Sequence, residues 1–141
     1  MKIAKLNENA LIPTRKNLDD AGLDLYACEL LTIASHSCMI VHTGVTIELP
    51  SNHVAQVWPK SRSNYLIGAG IIDAGYQGEI LVKIVNYSSS NIVIHEGEPI
   101  AQLVIVPVIT PTITEVNKDE IHIYKSTRGK TGGIASQAHS A

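Results

Sequence analysis

The chain has 141 residues, 45% of them hydrophobic and 17% charged, which predicts a single globular domain with a core of its own. Its formal net charge of −2 excludes the broad positive footprint of a protein that binds long nucleic acid, so any anionic ligand must meet a local group of cations. No apolar run approaches the roughly 20 residues of a membrane span, and Cys28 and Cys38 form no CxxC motif, so we expect a cytoplasmic chain with reduced thiols.

Short segments in which apolar and polar residues alternate run along most of the chain and predict about ten β-strands. The first is residues 2–6, and a polar stretch that contains a proline separates it from the second, residues 21–27. In this second strand Leu23 and Leu25 share one face, whereas Asp24 lies on the other. A carboxylate on a strand of this kind is either solvated or part of a site.

The middle of the chain continues the strand pattern and ends it with a cationic turn. Strands are predicted at residues 31–33, 39–41, 45–49 and 53–58. Directly after the last of them, Lys60, Ser61 and Arg62 alternate cations with a hydroxyl. Such a run is usually a solvated loop, but its charge-assisted hydrogen bonds can also hold a polyphosphate.

Residues 71–79 place one carboxylate, Asp73, and one aromatic ring, Tyr76, beside two glycines. Strand-like residues stand on both sides, at 65–67 and 80–85. Asp-Ala-Gly is turn chemistry, because glycine adopts positive φ and Asp can bond the backbone two residues on. We therefore predict a hairpin that holds the carboxylate of Asp73 at its mouth, where it is either solvated or functional.

The last predicted strands are residues 92–94 and 100–106. The second is apolar on both faces, as in a buried strand, except at Gln102, which must be hydrogen-bonded in the core or face a site. Residues 126–141 are rich in Gly, Ser and Lys and cannot bury themselves. We predict a single β domain over residues 1–125 with a flexible C-terminal arm.

The fold class follows from these strands and from what accompanies them. The sequence offers no amphipathic helix longer than one or two turns, so the strands predict an all-β sandwich, barrel or jelly roll. The six histidines are scattered without metal-ligand spacing, which argues against a zinc site.

Five segments, in this order, resemble the five motifs of the trimeric dUTPase family: residues 21–27, 59–61, 70–79, 97–103 and 128–133. The third and fourth match the family pattern most specifically. The resemblance implies a distorted jelly roll, a β-clip type sandwich, that assembles as a homotrimer with shared active sites. It also implies hydrolysis of dUTP to dUMP and pyrophosphate with Mg²⁺.

The resemblance implies that the third motif binds the nucleoside. Asp73 would orient the attacking water and hold the 3′-hydroxyl of the deoxyribose. Tyr76 would pack under the sugar and exclude a 2′-hydroxyl. The backbone around Ile67, Ile71 and Ile72 would recognise uracil and leave no room for the methyl group of thymine.

The resemblance assigns the phosphates to the other motifs. Lys60, where the family more often has Arg, would hold the α- and β-phosphates with Ser61, and Arg62 would stand beside them. Gln102 would bond a phosphate or the water.

The metal and the third phosphate complete this implied site. Mg²⁺ would be held by the triphosphate and waters, with Asp24 acting on it through water rather than as a direct ligand. Arg128 would reach the γ-phosphate in the site of a neighbouring subunit.

Two departures from the family pattern concern selectivity. The span from Lys60 to Asp73 is shorter than is usual, so the uracil-recognising hairpin or the short helix before it is trimmed. Where the family commonly has an aromatic ring in the fifth motif, this chain has Gly133 or Ile134.

Two alternatives remain open. The dCTP deaminases share the fold and use a Glu ten residues after their hairpin Asp as general base, where this chain has Lys83. A non-catalytic jelly-roll binding module is the other alternative, and the joint presence of the matching site residues argues against it: Asp73, Tyr76, Ser61, Gln102 and Arg128.

Overall fold

The computed structural model describes residues 1–124 and residue 127, and these contain eleven β-strands and one short 3₁₀ helix, Lys118–Glu120. The strands are β1 (Lys2–Lys5), β2 (Gly22–Tyr26), β3 (Leu31–Ile33), β4 (Cys38–His42), β5 (Val45–Glu48), β6 (His53–Trp58), β7 (Leu66–Ile67), β8 (Gly70–Asp73), β9 (Leu81–Val85), β10 (Ile92–Ile94) and β11 (Pro99–Pro107). The predicted all-β class is confirmed.

All eleven strands belong to one compact unit, Met1–Thr110. The chain from Pro111 to Ala141 forms a second unit. The predicted arm, residues 126–141, lies outside the described residues apart from residue 127, so the predicted boundary after residue 125 stays a prediction. Within the described part of the chain, no helix is both long enough and apolar enough to cross a membrane.

The strands pair antiparallel in four sheets. The largest has the order β2–β11–β6–β8, and a three-stranded sheet has the order β4–β9–β7. Two-stranded sheets are formed by β1 with β5 and by β10 with β3. In this arrangement β2 and β8 are the edge strands of the largest sheet.

The core lies against one face of the four-stranded sheet. Leu23, Leu103 and Val57 stand in register across β2, β11 and β6, and all three are buried. Leu25 is buried in the same way, whereas Asp24 is half-buried on the opposite face. The face assignment predicted for β2 is therefore confirmed, because strand residues alternate between the two faces.

The predicted hairpin is confirmed in its two flanking strands but not in the segment between them. The strands predicted at 65–67 and 80–85 correspond to β7 and β9, which pair antiparallel with Leu66 opposite Val85. Turn chemistry predicted the reversal after Asp73, where Tyr76 N–H donates to Asp73 O at 3.0 Å. It did not predict that residues 70–73 form a further strand, β8, because the partner of that strand, β6, belongs to a different sheet.

The sequence predicts that β11 is buried on both faces, and this prediction is wrong in detail. Ala101 and Leu103 are fully buried, but Gln102 and Val104 on the other face are only partly covered in the single chain. A run of apolar residues does not distinguish burial inside one chain from a face that is suited to contact another chain.

Candidate functional site

Three polar or aromatic side chains form a row across the outer face of the four-stranded sheet. Gln102 of β11 stands in register with Asp24 of β2 on one side and with Trp58 of β6 on the other. Side chains directly opposite in neighbouring strands lie about 5 Å apart, so the row brings Asp24 and Gln102 into reach of one ligand.

Pro59 ends β6 at this row, and the turn behind it presents a cation. The Lys60 ammonium forms an ion pair with Asp24 Oδ1, and the two side chains are 32% and 26% exposed. Ser61 and Arg62 are exposed in the same turn, which Ser63 N–H closes onto the Lys60 carbonyl at 3.2 Å. The pair is therefore accessible from solvent, and an anionic ligand can compete with Asp24 for the ammonium.

Gln102 is held in a fixed position beside this ion pair. Its Nε2 donates to the Pro59 carbonyl at 2.9 Å, and its Oε1 lies over Gly22, where an added Cβ would overlap it. Only glycine leaves the side-chain amide this space. The sequence predicts that the Gln of β11 is either hydrogen-bonded or faces a site, and the bond from Nε2 confirms the first of these.

We expect Gly22→Ala to lower kcat/KM for dUTP, the substrate that the family resemblance implies, at least about tenfold while changing the melting temperature little. The overlapping atom is the end of a flexible side chain, so the fold can yield, but Gln102 must leave its position and site geometry is sensitive to about 1 Å. The measurement is steady-state kinetics with thermal unfolding. Ser89→Ala, at an exposed position in the loop between β9 and β10, is the control. Unchanged kinetics of Gly22→Ala would contradict a positioned Gln102.

Lys16 and Asp20 line the same cleft as Asp24, Lys60 and Gln102, and the sequence did not identify them. They belong to the polar stretch before β2, which carries no periodic pattern. The loop is braced by its own bonds: Arg15 Nε donates to Asp20 O, and the backbone N–H of residue 17 donates to Asp20 Oδ2, both at 2.9 Å. We call this group of side chains the Lys60 cleft.

Asp73 lies elsewhere on the sheet, at the end of the edge strand β8. Its side chain is exposed, and it lines a second cleft together with His53, Gln56 and Ile71, which we call the Asp73 cleft. Because β8 is an edge strand, its free side offers unpaired backbone N–H and C=O groups next to this carboxylate.

The structure brings only part of the predicted nucleoside site to Asp73: Ile71 lines the same cleft, whereas Tyr76 lines another cleft, with Ile3 and Glu48. Ile71 is 63% exposed, Ile72 is buried in the core and Ile67 is half-buried at the end of β7, so Ile72 can contribute backbone but not side chain. Tyr76 is 43% exposed just past the turn. Arg128 lies outside the described residues.

The Asp73 cleft and the Lys60 cleft are separate within one chain. On β6, Asp73 pairs with Val54 and Gln102 pairs with Trp58, and β8 and β11 flank β6 on opposite sides. Four residues along a strand and two inter-strand spacings place the two backbones about 16 Å apart. A single chain therefore does not bring Asp73 to Lys60 and Gln102.

The carboxylate of Glu79 accepts two hydrogen bonds, from His42 Nδ1 at 2.9 Å and from Gly44 N–H at 2.8 Å. The hydrogen bond to Glu79, its charge and the more distant charge of Glu29 raise the pKa of His42 above 6.5, against a smaller opposing effect of burial. Protonated His42 thus stabilises the fold through this contact.

This contact predicts a pH dependence of stability. A group whose pKa is raised on folding stabilises most below its unfolded pKa, here 6.5, and the contribution is lost as pH rises through the folded value. We expect the melting-temperature difference between the wild type and His42→Gln to shrink between pH 5.5 and pH 8.5, values chosen about a unit or more to either side. His95→Gln is the control, and a difference independent of pH would contradict the assignment.

No group of three or more His, Cys, Asp or Glu side chains is arranged to hold a metal ion in the part of the chain that the structure describes. The Lys60 cleft contains two carboxylates, Asp20 and Asp24. Oxygen ligands of this kind suit Mg²⁺, which usually keeps several waters and binds few protein groups.

Comparisons with known proteins agree on one family. The dUTPase family model matches residues 8–132. A deoxyuridine 5′-triphosphate nucleotidohydrolase of Crocosphaera subtropica is 42% identical over 142 aligned residues, which cover 96% of this chain and 96% of that protein. The enzyme of the same name from Gloeothece citriformis is 39% identical and covers 96% and 94%.

Solved structures with the same fold include two staphylococcal phage dUTPases. One, from bacteriophage 80alpha with dUpNHpp, has a TM-score of 0.82 and 27% identity and covers 92% of this chain and 93% of its own. The other, from phage phi11 and described with a structural Mg(II) ion, has a TM-score of 0.79 and 26% identity and covers 83% and 96%. The predicted jelly-roll fold is confirmed.

Proposed function

The chain belongs to the dUTPase family, and from this premise we propose that it is a dUTP diphosphatase that hydrolyses dUTP to dUMP and pyrophosphate. The observation that carries the proposal is the family match over residues 8–132, which includes both clefts. The chemistry of the two clefts supports the proposal, since the Asp73 cleft presents a carboxylate on a sheet edge and the Lys60 cleft presents cations and an amide.

Asp73 is the residue we assign to the attacking water. Its exposed carboxylate would accept a hydrogen bond from a water in line with the α-phosphorus and take up the proton that this water loses. The water oxygen forms the new P–O bond, the bond from the α-phosphorus to the bridging oxygen breaks, and pyrophosphate leaves with the electron pair of that bond. Positioning and charge neutralisation supply most of the catalysis in such reactions, so one oriented carboxylate is sufficient.

The nucleoside half of dUTP fits the edge strand that carries Asp73. Free backbone groups of β8 around Ile71 and Ile72, with Ile67 at the end of β7, would recognise the uracil edge. The Tyr76 ring lies three residues past Asp73 and provides a flat apolar surface for the sugar, which leaves no room for a 2′-hydroxyl.

The triphosphate fits the Lys60 cleft. Lys60 and Gln102 are positioned there by Asp24 and by Pro59, and Ser61 adds a hydroxyl from the exposed turn together with Arg62. The phosphates would replace Asp24 as the partner of the Lys60 ammonium. We keep Arg128 as the proposed contact to the γ-phosphate.

Lys16 supplies a further cation to this cleft. We expect Lys16→Ala to raise KM for dUTP about three- to tenfold with kcat nearly unchanged, because an exposed ammonium strengthens phosphate binding without taking part in the chemical step. Lys5→Ala, which removes an exposed cation from β1, is the matched control. Equal KM values for Lys16→Ala and the wild type would remove Lys16 from the site.

Mg²⁺ is the proposed cofactor, bound chiefly by the triphosphate and waters. Asp24, with Asp20 beside it, is the carboxylate that would meet the metal through water. The ion would supply positive charge to the phosphates, whereas orientation of the water and of the phosphates remains the task of the side chains described above.

We propose a homotrimer with sites shared between subunits. The two clefts are about 16 Å apart in one chain, so a site that contains Asp73 and Gln102 must combine two copies. The outer face of the four-stranded sheet also keeps apolar side chains uncovered in the single chain, with Trp58 42% and Ile71 63% exposed. A symmetric ring of copies would cover this face.

The alternatives are weaker on the same geometry. Lys83, at the position of the deaminase base, lies on β9 in a different sheet from Asp73 and offers no carboxylate.

The cytoplasmic location that we propose agrees with two free cysteines, Cys28 and Cys38.

The test of the proposed function is to incubate the protein and Mg²⁺ with dUTP, dCTP, dTTP or UTP and to measure pyrophosphate and the nucleotide product. Pyrophosphate and dUMP from dUTP alone are the expected result. Ammonia from dCTP would instead indicate a deaminase, and no turnover of any of these nucleotides would indicate a binding module.

A further inference from the structure

Hydrogen bonds from backbone and hydroxyl groups hold residues 78–80, which follow the Asp73 turn, against residues 43–46, at the end of the β4–β5 connection and the start of β5. Ile80 N–H donates to Val45 O at 2.9 Å, and Thr43 Oγ1 donates to Ile80 O at 2.6 Å. Thr46 Oγ1 donates to Gly78 O at 2.8 Å. These bonds tie the chain on both sides of Glu79 to a neighbouring sheet.

The Glu79 side chain adds a charged anchor to the same connection. Its two oxygens accept from Gly44 N–H and His42 Nδ1, and the side chain is only 23% exposed. Position 44 requires glycine, because Gly44 has φ +67° and a Cβ there would stand 2.8 Å from Ala10 Cβ. Glu79 is therefore bound to a turn whose backbone conformation other residues do not readily adopt.

The Tyr76 side chain is hydrogen-bonded to the segment that follows it, not to β8. Its hydroxyl donates to the Glu79 carbonyl at 2.7 Å, and its ring covers Gly78 so closely that an added Cβ would overlap it. The ring is 43% exposed, so packing alone leaves it free on one side. Its orientation depends on where the Glu79 carbonyl is held.

We propose that Glu79 is a positioning residue that fixes the Tyr76 ring and thereby sets the discrimination between deoxyribonucleotides and ribonucleotides. The inference rests on the proposed function, which gives the Tyr76 ring its place beneath the sugar. The carboxylate acts through its bonds to His42 and to the β4–β5 connection, and it lines neither the Asp73 cleft nor the Lys60 cleft. A charge-assisted pair of hydrogen bonds suits this task, since such bonds are shorter and stronger than neutral ones.

The test compares kcat/KM for dUTP and for UTP. We expect Glu79→Ala to lower the dUTP/UTP ratio about tenfold, because a ring that tilts away admits the 2′-hydroxyl, whereas a small displacement costs the dUTP reaction less. Glu79→Gln should restore most of the ratio, since its amide oxygen still accepts from Gly44. Glu96→Ala, which removes an exposed carboxylate from the turn after β10, is the matched control.

Two further variants keep the inference testable if Glu79→Ala folds poorly. Thr46→Val removes the bond to Gly78 O, and Tyr76→Phe keeps the ring but removes its bond to the Glu79 carbonyl. Both should lower the dUTP/UTP ratio. Tyr76→Phe combined with Glu79→Ala should lower it no further than either change alone, because both act through one connection. Independent, additive effects would overturn the proposal.

Hydrogen exchange of the free protein separates this inference from the proposed function. Backbone amides of residues 76–80 should exchange faster in Glu79→Ala and Thr46→Val than in the wild type. Wild-type protein that hydrolyses no dUTP defeats the proposed function and this inference with it. Wild-type turnover with an unchanged dUTP/UTP ratio in Glu79→Ala and Thr46→Val defeats this inference alone.

Discussion

Replacing Asp73 with Asn is expected to lower kcat for dUTP at least about a thousandfold, which corresponds to about 4 kcal/mol of transition-state stabilisation. The amide keeps the size of the side chain but loses the negative charge that draws a proton of the water and aims its oxygen at phosphorus. Steady-state hydrolysis measured by pyrophosphate release, with Kd from a non-hydrolysable dUTP analogue, separates this loss from a loss of binding.

The substitution should leave the stability of the fold unchanged. Asp73 is exposed, and its carboxylate has no hydrogen-bond partner among the residues that the structure describes, so the melting temperature of Asp73→Asn should equal that of the wild type. Glu96→Gln removes another exposed carboxylate, in the turn after β10, and serves as the control. A variant with kcat within about tenfold of the wild type would show that another group orients the water.

In the proposed homotrimer, mixed assemblies of two inactive variants are expected to regain about one third of the wild-type activity. One variant carries Asp73→Asn and keeps an intact Lys60 cleft. The other carries Lys60→Ala and Gln102→Ala and keeps an intact Asp73 cleft. In a ring in which each site takes Asp73 from one subunit and the Lys60 cleft from the next, any mixed trimer contains one site with both parts intact.

The experiment requires co-expression of the two variants with different tags and purification of assemblies that carry both. Each variant alone, purified in the same way, gives the background activity. Because the two clefts are about 16 Å apart in one chain, recovery measures sharing between subunits directly. Mixed trimers as inactive as their parents would place each site within one chain and would contradict the shared-site assembly.

The sequence predicted ten of the eleven strands that the structure describes, all but β8, and it named the candidate site residues. The two-residue period correctly placed Leu23 and Leu25 in the core and Asp24 on the opposite face, because alternation is a local property of an extended chain. The same alternation identified Gln102 as the polar interruption of the apolar strand β11. Motif order then predicted the family, which the comparisons confirm.

The sequence did not identify Lys16 as a site residue, because loop residues show no periodic pattern of apolar and polar side chains. It comes to lie beside Lys60 and Gln102 only when the polar stretch before β2 folds back over the sheet. Nothing in the neighbourhood of Lys16 in the sequence distinguishes it from Lys5 or Lys118. Clefts lined by loops are for this reason poorly predicted from sequence.

The sequence by itself determined all strands except β8, the buried face of β2 and the set of candidate site residues, because these depend on residues close in the chain. The tertiary structure decided which strands pair, and so separated Asp73 on β8 from Gln102 on β11 by the width of β6. It also decided that Glu79 meets His42 and Gly44. Such contacts join residues 35 or more positions apart, and only the packing of the whole core brings them together.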